Sequence, residues 1–432
     1  MKINGIIAEY NPFHNGHKYH LEESLRRTGA DYTIVVMSGN FVQRGDAALL
    51  PKQARAETAL RCGADLVLEL PVLYACSSSE YFANGAVTLL DRLGVVTHLC
   101  FGSECGDTKL LKKAAEFLIK EPPAYRLALL QGLKQGLTYP QARACGMAVF
   151  RNQKAAEALS PTEFSSGVWQ KDSHPNDILG TDYIRALLKR ESTIQPMTIQ
   201  RLGADYNDAA LPALPASPPP AGSDQNIISV SALAIRLALL QGRDPSEILP
   251  CMPSEAAIIL ERELARQRFL CGDDFSSVLH YKLLLEQKTG FEKYLDVSRD
   301  LSNRITKLLG AFKGFSSFCG LLKTKNITYA RISRCLLHIL LNLEKKDMEL
   351  ARAMDYVPYA RVLGFRKTAA PLLHAIRSHS SIPLVTKLAD AHRLLSPDAF
   401  QMLQKDLLAT EIYHMAAGGP IPNEAARPLI FL

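Results

Sequence analysis

The stretch Lys2-Ile3-Asn4-Gly5-Ile6-Ile7-Ala8-Glu9-Tyr10-Asn11-Pro12-Phe13-His14-Asn15-Gly16-His17 decides how the rest of the chain is read. Its first half is a short apolar run, which predicts a buried strand. Asn11-Pro12 and Asn15-Gly16 are turn punctuators and end that strand. Beyond them Leu21 and Leu25 stand four apart among charges, the spacing of an amphipathic helix. Strand, tight turn and helix together make an anion site, because a helix N-terminus presents unpaired N–H groups and a partial positive charge. His14 and His17 flank Gly16 at that spot, and nucleotide phosphates are the expected guest. Two plainer readings stand beside this one. His14, His17 and His20 are three apart, a spacing that suits a metal on one helical face, although the Asn-Gly turn interrupts such a helix and no cysteine is near. Ordinary turn histidines are the other.

Outward from this stretch, apolar runs alternate with helical spacing. Strands are expected at 31–39, 64–71, 95–104 and from Thr198 to Tyr206, with helices at 51–60, 78–93 and through most of 110–150. Such alternation predicts an α/β fold, a Rossmann-like parallel sheet with helices on both faces. Ligands of such sheets sit beyond the carboxyl ends of the strands, which brings the His14–His17 turn, the loop 40–46 with Arg44, and Gly102 to one crevice. A glycine at 102 lets an adenine or ribose approach the backbone. Arg44 reads either as a phosphate contact or as a solvated loop charge, and Arg143 as a surface residue. Asn176 or Asp177 is expected to cap the helix that follows His174-Pro175.

The chain has 432 residues, 47% of them hydrophobic, a net charge of +7 and nine cysteines. That length predicts more than one domain. No apolar run approaches the roughly 20 residues of a membrane span, and no export signal is visible. Scattered, odd-numbered cysteines without a Cys-x-x-Cys pair argue for reduced thiols in a cytoplasm and against a structural zinc.

His14-Asn15-Gly16-His17 has the form of the His-x-Gly-His signature of the nucleotidyltransferase superfamily. The longer string from Gly5 to His17 resembles the bacterial tRNA(Met) cytidine acetate ligase family, and further matches run over most of the chain. The resemblance implies a nucleotidyltransferase domain over 1–240 that binds ATP through Ile7, Ala8, Glu9, Tyr10, Asn11, Pro12, Phe13, His14, Asn15, Gly16, His17, Lys18, Tyr19 and His20, together with Gly102, Asn176 and Arg201. His14 and His17 are the implied catalytic residues, with no protein metal site; Mg²⁺ is expected on the triphosphate. Asp177 stands where the family more usually has a second Asn. Val230-Ser231-Ala232-Leu233-Ala234-Ile235-Arg236 resembles the superfamily's second signature, with Leu233 in place of a hydroxyl residue, which leaves Ser231 and Arg236 as candidates. Ser231 is also an adequate helix cap. The proline-rich stretch 209–223 reads as a mobile loop.

From Pro245 onward the pattern is helical almost throughout, so 241–432 is expected to be an all-α domain. Residues 297–367 hold 14 Lys and Arg against 5 Asp and Glu. Cations cluster with aromatics at 324–334 and 361–367, a pattern suited to an RNA backbone and unstacked bases, or equally to a solvated helix face. The resemblance favours tRNA. The activity it implies joins acetate to ATP as acetyl-adenylate and passes the acetyl group to N4 of the wobble cytidine of elongator tRNA(Met). Two rivals are an adenylyltransferase of a small phosphate ester and a non-catalytic tRNA-binding protein.

Overall fold

The computed structural model describes residues 1–157, 174–201, 230–266, 268–418 and 423–432, and within 151–157 the backbone only. The 209–223 stretch therefore lies outside the described residues. The strands are β1 (Ile3–Ala8), β2 (Tyr32–Ser38), β3 (Phe41–Val42), β4 (Asp46–Ala47), β5 (Leu66–Leu70), β6 (His98–Ser103), β7 (Gln195–Gln200), β8 (Ala360–Phe365), β9 (Leu384–Val385) and β10 (Ile430–Phe431). Through the sheet, helices α1 (Asn15–Thr28), α2 (Lys52–Arg61), α3 (Val72–Ala75), α4 (Ser79–Arg92), α5 (Thr108–Lys120), α6 (Pro123–Lys134), α7 (Tyr139–Glu157), α8 (Pro175–Lys189) and α9 (Ala232–Leu240) connect or cover the strands. The remainder are α10 (Ser254–Arg266), α11 (Ser276–Glu286), α12 (Arg299–Leu308), α13 (Phe315–Leu322), α14 (Tyr329–Leu340), α15 (Lys345–Ala353), α16 (Ala370–His379), α17 (Ala391–Leu394) and α18 (Pro397–Ala416).

The main sheet runs β10-β8-β5-β2-β1-β6-β7, with β9 also on β8. It is parallel except where β8 meets β5. Residues from Ile34 to Met37 on β2 are fully buried, as expected of a strand covered on both faces. From β1 the chain crosses to β2 and β5 on one side, then returns to β6 and β7 on the other. The order thus reverses between β1 and β6, and the carboxyl end of that boundary is where parallel sheets open a crevice.

The expected strands are present, with β7 starting at Gln195 rather than at Thr198; residues 202–206 lie outside the described set. The loop expected at 40–46 carries a two-residue antiparallel ladder, β3–β4, too short to show as alternation.

The larger departure is in the second half, where β8, β9 and β10 join the sheet instead of leaving 241–432 entirely helical. Val362 and Leu363 are buried there, and the flanking charge of Arg361 is neutralised rather than solvated. Lys52 and Arg361 both pair with Glu69 and Glu424; the contacts are 2.8 and 3.1 Å from Lys52 Nζ, and 2.7 and 2.5 Å from Arg361. This cluster is the seam between β5 and β8. Arg361, read above as part of a basic cluster open to RNA, is 4% exposed within it. Composition cannot separate a paired cation from a solvated one.

Candidate active site

The cleft opens beyond the carboxyl ends of β1, β6 and β7. Ile7, Ala8, Glu9, Tyr10, Asn11, His14, Gly16, His17, Tyr19, His20, Gly102, Asn176 and Arg201 all line it. Pro12, Phe13, Asn15 and Lys18 do not. Phe13 is in the core under α1; Asn15 donates to the Pro250 carbonyl at 3.0 Å, and Lys18 faces Glu255 at 3.7 Å on the outer side of the helix. A helix shows the cleft only part of its circumference, so a contiguous run cannot all face one ligand.

His14 is the N-cap of α1. Its Nδ1 accepts the Gly16 N–H at 3.1 Å, and His17 Nδ1 accepts the His14 N–H at 3.2 Å. This reciprocal capping stacks the two rings, with centroids 3.7 Å apart. A neutral imidazole that accepts at Nδ1 carries its proton on Nε2. Burial, with Arg201 nearby, lowers the His14 pKa to about 3 and that of His20 to about 4. His17 is also driven well down, by burial first and then by His14, Arg201 and His20. All three rings are therefore neutral near pH 7. The His20 Nε2 is buried without a hydrogen-bond partner. With the Nδ1 atoms of His14 and His17 spent on backbone N–H groups, the arrangement is a donor cradle. Among the described residues no group of three or more His, Cys, Asp or Glu is set to hold a metal ion.

Around this pair the turn is held from below. Arg55, buried on α2, donates to the carbonyls of Glu9 at 2.6 Å, Ser38 at 3.1 Å, Gly39 and Leu50. One guanidinium thus ties the ends of β1 and β2, and the apolar periodicity of α2 gives no hint of it. Asn11 Oδ1 accepts the Leu49 N–H at 2.8 Å, and Arg236 donates to the Asn11 carbonyl at 2.6 Å. Arg236 and Leu233 both line the cleft, so the 230–236 segment meets the first turn directly. Ser231 caps α9 through the Ala234 N–H at 3.1 Å and also lines the cleft. Arg44 and Asp46 reach it from the β3–β4 hairpin.

On the opposite wall Gly102 sits beside Arg201, where an added Cβ would come no closer than 3.4 Å to Arg201 Cγ. The protein's own packing therefore does not require glycine there. The N-cap of α8 is His174, without a side-chain bond, rather than Asn176 or Asp177. The capping acceptor comes from the end of β6, where the Glu104 carboxylate receives the N–H groups of Asn176 and Asp177. Arg143, read as a surface residue, is buried and pairs with Asp182 at 2.9 Å. Both assignments depend on long-range contacts that spacing along the chain does not encode.

The sequence pattern of the HIGH nucleotidyl transferase family matches residues 1–426. A tRNA(Met) cytidine acetate ligase of Acetivibrio thermocellus is 36% identical over 429 residues, covering 99% of this chain and 98% of the relative. One of Clostridium kluyveri is 39% identical over 417 residues, covering 96% and 95%. The crystal structure of Thermotoga maritima TmcAL bound with alpha-thio ATP superposes with a TM-score of 0.86 at 32% identity, covering all of both chains. Its apo form gives 0.88. No helix among the described residues is long and apolar enough to cross a membrane.

Proposed function

This chain belongs to the HIGH nucleotidyl transferase family and, within it, to the tRNA(Met) cytidine acetate ligases; it is an ATP-dependent ligase, and from that premise we propose how its cleft works. An acetate oxygen attacks the α-phosphorus of ATP, and the bond to pyrophosphate breaks to leave acetyl-adenylate. The exocyclic N4 amine of the tRNA cytidine then attacks the acetyl carbon, AMP departs with the bonding electrons, and the amine loses a proton. Acetate is an anion at neutral pH and needs no general base. The protein's task in the first step is to hold in-line geometry and to offset charge gathering on the phosphate oxygens. The observation that carries the reading is the stacked, neutral His14–His17 pair at the N-terminus of α1.

In this reading His14 and His17 donate from Nε2 to phosphate oxygens, and Arg201 and Arg236 supply fixed positive charge beside them. Asn176 and Gly102 receive the nucleoside. Mg²⁺ arrives as the triphosphate's counter-ion. The cleft carboxylates Glu9 and Asp46 each accept a backbone N–H, from Gln43 and Ala47, at 2.8 Å, and no step is routed through the metal. The basic helical surface is the side from which tRNA approaches.

Incubation with labelled acetate, ATP and total tRNA tests the whole sequence, and acetate-dependent ATP–pyrophosphate exchange without tRNA isolates the first step. Label in tRNA cytidine and exchange dependent on acetate are expected. Exchange driven by a phosphate ester instead, or tRNA binding with no ATP consumption, would overturn the reading.

A further inference from the structure

The end of β6 and the start of α8 hold each other in a reciprocal clasp. Glu104 Oε1 accepts the Asn176 side-chain Nδ2–H at 2.6 Å and the Asn176 backbone N–H at 3.4 Å, while Oε2 accepts the Asp177 N–H at 3.0 Å. In return Asp177 Oδ1 accepts the N–H groups of Glu104 at 3.0 Å and Cys105 at 3.1 Å. One turn further along α8, Gly180 lies so close to β6 that a Cβ would fall 2.5 Å from the Phe101 ring. Strand and helix therefore cannot slide apart or rotate without breaking several contacts at once.

The clasp has a chemical consequence. A carboxylate can only accept, so the end of the Asn176 amide facing Glu104 must be its NH₂. That leaves Asn176 Oδ1 as the end available to the cleft, which Asn176 lines beside Gly102, Leu179 and Tyr183. We propose that Glu104 is a positioning residue that locks the Asn176 amide with its oxygen toward the nucleotide, so that the site selects a ligand carrying a hydrogen-bond donor at that point. On an ATP ligand the donor is either the adenine 6-amino group or a ribose hydroxyl. The inference rests on the ATP reading above and adds to it the origin of nucleotide choice. Asn176 is half-buried, and once a nucleotide covers it an unmet acceptor is costly, so selection by such a group exceeds what shape alone provides.

Glu104→Gln tests it without removing bulk. A carboxamide at 104 offers one acceptor and one donor, so it either loses the Asp177 N–H or turns the Asn176 amide round. ATP–pyrophosphate exchange is measured with ATP, ITP, 2′-deoxy-ATP and 3′-deoxy-ATP for the wild-type protein, Glu104→Gln, Asn176→Ala, and the two pairs Glu104→Gln/Asn176→Ala and Glu104→Gln/Asn176→Asp. The KM for ATP should rise about tenfold in Glu104→Gln, more than kcat falls, and preference for ATP over one donor-lacking analogue should collapse. ITP as that analogue identifies the 6-amino group; a deoxy analogue identifies the hydroxyl. The Glu104→Gln/Asn176→Ala pair should be no worse than Asn176→Ala alone. In the Glu104→Gln/Asn176→Asp pair the carboxylate introduced on α8 accepts from the carboxamide introduced at the end of β6. Its second oxygen stays toward the cleft, so preference should return. Wild-type selectivity in Glu104→Gln, additive losses in the pair with Asn176→Ala, or no recovery in the pair with Asn176→Asp overturns the inference alone. No exchange in the wild-type protein overturns the ligase reading, and this inference with it.

Discussion

At the β5–β8 seam Lys52, Glu69, Arg361 and Glu424 are each under a tenth exposed, and two cations meet two carboxylates at close range. In the cleft His14 is buried and His17 and His20 are half-buried, and hydrogen bonding commits only the Nδ1 side of the first two and leaves the third ring's Nε2 without a partner. The seam sets opposite charges against each other and welds the C-terminal strands to the sheet. The cleft holds neutral, oriented donors in reserve for a ligand. Buried charges that meet their opposites are architecture, and neutral donors aimed into an open cleft are chemistry.

The sharpest way to break that contrast is to truncate one residue on each side. His14→Ala or His17→Ala should lower acetate-dependent pyrophosphate exchange about a thousandfold, ~4 kcal/mol in the barrier, with tRNA affinity by filter binding largely kept. Near-wild-type exchange in either variant would remove them from catalysis. At the seam, Lys52→Met leaves a buried carboxylate short of a partner and should cost roughly 3 kcal/mol of stability. A chemical-denaturation midpoint unchanged from wild type would show that the seam is not welded by these charges.

The two regions also differ in how they show in the sequence. The cleft's core was legible because its strand, turn, imidazole pair and helix are contiguous, and a capping motif is a local event. The alternation of elements likewise revealed the parallel sheet. What stayed hidden was assembled across distance. Glu104 acts on a helix 72 residues away, Arg55 works through backbone carbonyls on three segments, and Arg361 looks basic only until Glu69 and Glu424 are beside it. β8 was hidden for a related reason: an antiparallel strand entering from the far end of the chain has no neighbouring alternation to announce it.

A second contrast is in proton binding. Folding lowers the pKa of His14 to about 3 and His20 to about 4, so between those values and the unfolded 6.5 the unfolded chain binds more protons. Their stabilisation is complete above about pH 6.5 and is lost as the pH falls, by roughly 2 kcal/mol per ring at pH 5. Asp406, near the seam, has the opposite sign. Burial, reinforced by Glu69, lifts it to about 7, so it gains stability as the pH falls below that value. The imidazole contribution must therefore be read as a difference. His20→Gln should flatten the fall in denaturation free energy between pH 7.5 and 5 by about 2 kcal/mol relative to wild type. An identical pH slope in the two proteins would mean that the ring is not held neutral.

The smallest expected effect concerns how the helical region meets the cleft. α14 begins in the basic stretch 324–334, and its Ser333 hydroxyl donates to the Gly45 carbonyl at 2.5 Å. Gly45 is the tip of the β3–β4 hairpin that carries Arg44 and Asp46 into the cleft, and the Arg334 backbone lies so close that a Cβ on Gly45 would have no room. The cationic helix start is thus physically continuous with the cleft's rim. Arg331 lines a depression with Lys345 and Arg352, three cations against the carboxylates of Asp296 and Glu349. A phosphodiester there would be held by solvated point charges, each worth little singly and screened by salt. Arg331→Ala should therefore weaken tRNA binding only about threefold and lower the salt dependence of log Kd by about one unit, while acetate-dependent pyrophosphate exchange without tRNA stays as it was. Loss of that exchange would mean that α14 shapes the cleft through the hairpin rather than guiding the tRNA past it.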